Sequence, residues 1–245
     1  MIRVGVIGHA GRMGSEVCRA VEDDVELELV ARIGRGDDLG DLTRAGAEVA
    51  VEFTTPDTVK DNVVWCVKHD IHVVVGATGL SDDDIDEIGA LVKDGSARVF
   101  VAPNFALGAV LMMAFSVRAA RYYDTCEIVE RHHERKLDSP SGTSLRTAAL
   151  INEAHRGSWP PREERETLAG SRGGDAEGVH VHSLRMPGSV AHQEVIFGGA
   201  GETLTIRHDS LDRSSFMPGV ILAVKSVAQT DGVTVGLEHL LGLSE

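Results

Sequence analysis

The chain is 245 residues long, 42% hydrophobic and 25% charged, a composition that excludes general disorder and gives length for one large or two modest domains. Folding at this size buries roughly 70–75% of the unfolded surface, so neither a metal nor a disulfide is needed to complete a core. The net charge of −14 repels phosphate backbones and anionic lipid, which argues against nucleic-acid and membrane partners and means that an anionic ligand needs a locally positive site.

Cys18, Cys66 and Cys126 are odd in number and sit in apolar segments, which predicts buried thiols in a reducing cytoplasm rather than a disulfide framework. The apolar run at Met1–Gly8 is too short to span a membrane and lacks signal-peptide layout, and no later run is longer.

The first hundred residues alternate between two periods. Short Val- and Ile-rich runs at Ile2–Ile7, Leu27–Ile33, Val49–Phe53, Ile71–Val75 and Ala97–Val101 predict five strands buried on both faces. Between them, Met13, Val17 and Val21, then Val59, Val63 and Val67, then Ile85, Ile88 and Val92 carry helical spacing. Strand and helix in alternation predict a parallel sheet. Thr55-Pro56, and Ser81 followed by three aspartates, place capping hydroxyls at the starts of two helices.

Past residue 105 the pattern changes. A helix is predicted over Leu107–Tyr123, a strand from Glu127, and a helix over Gly142–Glu153; the Gly-, Pro- and charge-rich stretch Ser158–Gly178 reads as a long exposed loop. Strand-like runs at Val179–Met186, Gln193–Phe197 and Thr203–His208, joined by Gly-containing turns, suit an antiparallel sheet. The last apolar helix, Val220–Val227, resembles those of the first domain, so the chain is expected to return there.

Gly8-His9-Ala10-Gly11-Arg12-Met13-Gly14 follows the first strand and opens the first helix, the context of a dinucleotide-binding turn. Glycines let the backbone approach a pyrophosphate, and the helix N-terminus offers N–H groups and a positive dipole end. At the end of the second strand, Ala31-Arg32-Ile33-Gly34-Arg35-Gly36-Asp37, no carboxylate stands at the position that accepts from the ribose of NAD. Arg32 and Arg35 flank that position, either as partners of a 2′-phosphate or as solvated charges. The expectation is that NADPH serves at least as well as NADH.

The densest chemistry is Glu130-Arg131-His132-His133-Glu134-Arg135-Lys136-Leu137-Asp138-Ser139-Pro140-Ser141-Gly142-Thr143. His132 exchanges protons near neutral pH, and Lys136, one of five lysines in the chain, can donate a proton or hold a carboxylate. Ser141-Gly142-Thr143 offers backbone N–H groups at a helix start, with no side chain at Gly142 to obstruct an anion. The set reads as a receptor for a small dianion. A metal role for the two histidines is disfavoured, because neighbours in a strand face opposite ways and no third ligand lies at a suitable spacing.

These motifs, with Phe53-Thr54-Thr55-Pro56, Gly76-Ala77-Thr78-Gly79, Ala102-Pro103-Asn104-Phe105 and the later segments His192–Phe197 and Glu202–His208, resemble the dihydrodipicolinate (4-hydroxy-tetrahydrodipicolinate) reductase family of diaminopimelate and lysine biosynthesis over nearly the full length. The resemblance implies an α/β chain: an N-terminal Rossmann-like parallel-sheet domain (1–105, completed by 213–245) and a central α+β domain with an open mixed sheet (106–212) that binds substrate and builds a homotetramer. It implies NADH or NADPH as cofactor, lined by Gly8, His9, Ala10, Gly11, Arg12, Met13, Gly34, Gly76, Ala77, Thr78, Ala102, Pro103, Asn104 and Phe105. His132 and Lys136 would be catalytic, His133, Ser141, Gly142 and Thr143 would bind a dicarboxylate, and no metal would be needed. Domain closure near residues 105 and 212 is expected to bring hydride and ring together. Gly34 replaces the family's usual charged residue, and Ala77 a common threonine. The competing readings are another two-domain dehydrogenase, acting on a sugar or amino acid, and a dinucleotide-binding redox sensor without turnover.

Overall fold

The computed structural model describes residues 1–243 apart from 94, 156, 158 and 161–164. In chain order they form β1 (Ile2–Ile7), α1 (Arg12–Asp23), β2 (Leu27–Ile33), α2 (Gly40–Arg44), β3 (Val49–Glu52), α3 (Val59–Lys68), β4 (His72–Val75), α4 (Asp82–Lys93) and β5 (Val99–Val101). There follow α5 (Leu107–Ala119), β6 (Thr125–His132), α6 (Gly142–Ala154), β7 (Gly174–Ala176), β8 (Val179–Arg185), β9 (Ala191–Gly199), β10 (Glu202–Ser210), α7 (Met217–Ser226) and β11 (Val233–Val235). The chain divides into two units, Met1–Leu107 with Arg213–Glu245, and Gly108–Asp212.

The first unit holds a six-stranded sheet in the order β11-β5-β4-β3-β1-β2, parallel throughout. Its central strands are buried on both faces, as their unbroken Val runs require: Val49, Ala50, Val51, Val73, Val74 and Val75 are all inaccessible or nearly so. Each fully buried valine contributes roughly 1.5–3 kcal/mol. Helix α1 turns Gly14, Val17, Cys18 and Val21 inward, the faces set by its spacing of three and four. The final helix does return to this unit: Lys225 on α7 pairs with Asp24 at 2.9 Å, between α1 and β2.

Local details depart from the sequence in places. Ser81 does cap α4, its Oγ accepting from Asp84 N–H at 3.2 Å while Asp84 accepts from Ser81 N–H at 2.9 Å, a reciprocal pair of the kind that satisfies helix-start donors. Thr55 does not cap α3. That helix starts at Val59, and Thr55 opens the preceding turn through its carbonyl, which accepts from Thr58 and Val59 N–H at 3.0 and 3.1 Å. A sixth strand, β11, extends the expected five by pairing with β5. Its three residues, between Gly232 and Gly236, are too few to show a period. The same brevity conceals α2, whose one buried residue is Leu42.

The second unit carries a five-stranded sheet, β10-β9-β6-β8-β7. β9 pairs antiparallel with β10 and with β6, but β8 runs parallel to β6, so the sheet is mixed. The antiparallel expectation holds for β9 and β10 and fails for β8, because the segment containing α6 carries the chain over to a parallel neighbour, as a parallel pairing requires. Part of the expected loop, 174–176, is strand β7; residues 158 and 161–164 of that loop lie outside the described residues. Along β6, Cys126, Ile128 and Glu130 alternate inward, and the first two join a core with Ala148 and Ile151 of α6. Cys18, Cys66 and Cys126 are buried thiols, not members of a disulfide framework. No helix among the described residues is long and apolar enough to cross a membrane.

Candidate active site

The glycine-rich turn lies at the carboxyl end of β1, between β3 and β2, where a parallel sheet reverses its strand order and ligands bind. Gly8 has φ +86°, and a Cβ there would stand 2.5 Å from Phe53 O. A Cβ on Gly14 would stand 2.1 Å from Gly8 O. The turn is thus closed to side chains where strand, turn and helix meet. Gly11 is the N-cap of α1, which has no side-chain cap and no acid in its first turn; its leading N–H groups and dipole suit an anion such as a pyrophosphate. Ala10, Gly11 and Arg12 are exposed around that start, and His9 and Met13 half-buried. These features fit a dinucleotide.

Four more loops end the neighbouring strands. After β4, Gly76 N–H donates to Glu52 O at 2.9 Å and Ala77 N–H at 3.3 Å; a Cβ on Gly76 would meet the Phe53 ring at 2.2 Å, and Thr78 is exposed. After β5, Ala102 and Phe105 are buried and Pro103 exposed, Asn104 Oδ1 accepts from Ala106 N–H at 2.9 Å, and the Phe105 and Phe53 rings lie 6.0 Å apart. After β3, buried Glu52 accepts from Asn62 and from Thr54 N–H, each at 3.2 Å; burial pushes its carboxyl up.

The end of β2 holds a contact that the linear sequence does not show. Gly34 N–H donates to Asp37 Oδ2 at 2.7 Å, and a Cβ on Gly34 would lie 3.3 Å from that oxygen and 3.2 Å from His9 Nε2. The turn therefore folds a carboxylate back to the place where the linear sequence shows none. Arg32, one of the two flanking cations, pairs with Glu22, while Arg35 is exposed.

In the second unit, β6 ends at His132 and α6 begins at Gly142, and the chemistry gathers at this junction. Glu130 is 0% exposed. It accepts from His132 Nδ1 at 2.5 Å, from Arg185 at 2.8 and 2.9 Å, and from Ser141 N–H at 3.2 Å. Burial pushes its carboxyl up, but the Arg185 bonds, with His132, outweigh this and hold it below the usual range. Burial lowers the His132 proton affinity, Glu130 opposes the fall, and the charges of Lys136 and Arg185 deepen it, for a net lowering.

Lys136 Nζ donates to both carboxylate oxygens of Asp138, and Arg185 bonds Asp138 O at 2.6 Å, so Lys136 and His132 share one connected network. His133 has a buried Nδ1 without a partner. Ser141 is buried and caps α6, accepting from Ser144 N–H at 3.2 Å; its hydroxyl is committed to the helix. Gly142 is exposed, and a Cβ there would meet nothing within 4 Å. With no acid in the first turn of α6, the N–H groups of Gly142 and Thr143 border open space. Beneath them, Ser144 donates to Gln193 at 2.7 Å and Gln193 to Thr147 at 2.8 Å, which makes the helix start rigid. Among the described residues no group of three or more His, Cys, Asp or Glu is arranged to hold a metal.

Sequence reasoning passed over Asp37, Arg185 and the role of Glu130. One signal was present for the last: an acid at a core-facing position of β6, two residues before the histidine on the same face.

A Rossmann-like parallel sheet with a glycine-rich turn at the carboxyl end of β1, followed by a mixed-sheet unit with a His–Lys cluster, fits the class of nicotinamide-dinucleotide-dependent reductases. Residues 2–105 match the family described as dihydrodipicolinate reductase, N-terminus, and residues 108–241 its C-terminus. The chain belongs to the dihydrodipicolinate reductase family. It is 53% identical to the 4-hydroxy-tetrahydrodipicolinate reductase of Streptomyces griseus and 50% identical to that of Corynebacterium diphtheriae, with 99% of both chains covered in each comparison. A solved structure described as dipicolinate-bound dihydrodipicolinate reductase from Paenisporosarcina sp. TG-14 is 36% identical, with TM-score 0.90 over 98% of this chain and 99% of that one.

Proposed function

We propose that the chain reduces 4-hydroxy-tetrahydrodipicolinate, after loss of water to dihydrodipicolinate, to tetrahydrodipicolinate, as a cytoplasmic step of diaminopimelate and lysine biosynthesis. The observation that carries this reading is the junction of β6 and α6. In a chain of net charge −14, it holds His132, Lys136 and the open N–H groups of Gly142 and Thr143 together, the complement of a small dicarboxylate. The family membership and the activity of relatives about 50% identical support it.

In this reading, residues 1–105 with 213–245 bind the dinucleotide and 106–212 bind the substrate and build a homotetramer. Gly8 to Met13 meet the pyrophosphate, with Gly34, Gly76 to Thr78 and Ala102 to Phe105 lining the rest. A nicotinamide dinucleotide, when bound, supplies one hydride to a ring carbon and leaves oxidised. The remaining requirement is one proton, which completes the addition of two hydrogens to the conjugated imine. Glu130, held ionised, has no proton to give, so His132 carries hydrogen on Nδ1 and exchanges its proton at Nε2. An arriving dianion raises the proton affinity of His132 and draws Lys136 from Asp138 onto a carboxylate. Both cations then stand where negative charge develops on the ring, and they form the proton-donating pair. Gly142, Thr143 and His133 hold the carboxylates, and Ser141 keeps the helix start in place.

In this reading the Asp37 carboxylate, held at Gly34 N–H, accepts from the ribose hydroxyls, while exposed Arg32 pairs with Glu22 in place of a 2′-phosphate. NADH is therefore the favoured cofactor, the reverse of what the bare strand end suggested.

The test is turnover of the condensation product of pyruvate and aspartate semialdehyde, followed through the nicotinamide absorbance. Consumption that depends on this product is the expected result. Tight dinucleotide binding without consumption would make the chain a sensor, and turnover of a sugar or amino acid alone would make it another dehydrogenase.

A further inference from the structure

We infer that Glu130, locked from behind by Arg185, is a positioning residue that fixes the orientation and tautomer of His132, so that Nε2 alone faces the reaction. The inference rests on His132 being the proton-exchanging group of the proposed reductase.

The local geometry follows from strand periodicity. Glu130 and His132 are two apart on β6 and share a face, and the parallel register sets Arg185 of β8 directly beside His132. The Glu130 carboxylate accepts from the imidazole on one oxygen and from Ser141 N–H on the other, while the guanidinium spans both. A bidentate guanidinium holds a carboxylate plane fixed, and the carboxylate in turn fixes the ring. Arg185 is itself anchored on Asp138 O, so the clamp reaches the segment that carries Lys136. A buried ion pair that served packing alone would not need the imidazole as a third member. Here the only acceptor that the described hydrogen bonds give His132 Nδ1 is this carboxylate.

The charged groups facing His132 are Glu130 on its own strand, Arg185 from β8 and Lys136 from the following loop, itself paired with Asp138. From β9 the neighbour of His132 in register is Ala191, and from the start of α6 comes neutral Ser141. The signs are therefore defined. Glu130→Gln removes the one group that favours imidazolium and leaves burial, Arg185 and Lys136 acting against it. Arg185→Gln removes one opposing charge and leaves Glu130 opposed only by burial and Lys136.

The experiment is an NMR titration of His132, assigned by the signal lost in His132→Ala, alongside pH profiles of kcat and KM for the holoenzyme. Expected is a fall in the His132 midpoint of about one pH unit in Glu130→Gln and a rise in Arg185→Gln. In Glu130→Asp the midpoint stays close to the parent's, and kcat falls at least tenfold with KM little changed, because the charge remains but the ring is displaced. Unmoved His132 midpoints in Arg185→Gln and in folded Glu130→Gln would overturn the inference. Should Glu130→Gln fail to fold, the Arg185→Gln midpoint and the Glu130→Asp split decide it. The titration needs no turnover, so the midpoints decide the inference even if the proposed substrate proves wrong; a kcat fall would then be absent while the midpoints still moved.

Discussion

Lys136 Nζ stands 2.9 and 2.8 Å from the two carboxylate oxygens of Asp138, so the cation assigned to the substrate is held by an internal carboxylate. Asp138 is largely exposed, and such a pair is worth no more than about 1 kcal/mol; an incoming dicarboxylate held also by helix N–H groups can displace it. Asp138→Asn should lower the KM for the dicarboxylate by up to roughly fivefold, read from steady-state kinetics. A raised KM would mean that Asp138, rather than restraining Lys136, orients it.

The two proposed proton-exchanging residues should separate kinetically. His132→Ala is expected to lower kcat by roughly 100- to 10,000-fold with a smaller change in KM. Lys136→Ala should lower kcat and also raise KM, since a carboxylate contact is lost. Kinetics unchanged in both variants would remove the mechanism.

Two glycines provide opposite controls. Gly14→Ala forces a methyl against the Gly8 carbonyl and should cost about 1–3 kcal/mol of stability together with dinucleotide affinity, measured by thermal unfolding and by titration with NADH. Gly142→Ala meets no neighbour, so its melting temperature should be unchanged or slightly higher while the KM for the dicarboxylate rises. A destabilised Gly142→Ala would show a packed position rather than an open anion site.

The proposed preference for NADH rests on a carboxylate that the strand end alone does not reveal. Asp37→Asn should weaken NADH roughly tenfold or more and NADPH by less, read as paired dissociation constants from fluorescence titration. Equal loss for both would mean that Asp37 only shapes its turn.

The legible parts of the chain are those in which neighbours in sequence are neighbours in space. Valine runs such as Val73–Val75 announce buried parallel strands, and His132, Lys136 and Ser141–Thr143 crowd one short segment around a strand-to-helix junction. What the sequence concealed depends on long-range or reversed contacts. Arg185 reaches Glu130 across 55 positions through a parallel pairing that the Gly-containing turns did not suggest. Asp37 returns to Gly34 only because the turn between them, with Gly36 at φ +89°, doubles back. Strands β7 and β11, three residues each, exist by pairing with partners already in place, not by any period of their own.

The most direct measurement of the central claim is a crystal structure with dinucleotide and pyridine-2,6-dicarboxylate bound. The account predicts one carboxylate on the N–H groups of Gly142 and Thr143, the other in reach of Lys136 freed from Asp138, and the ring beside His132 Nε2. A dicarboxylate bound elsewhere, with Lys136 still on Asp138, would contradict it.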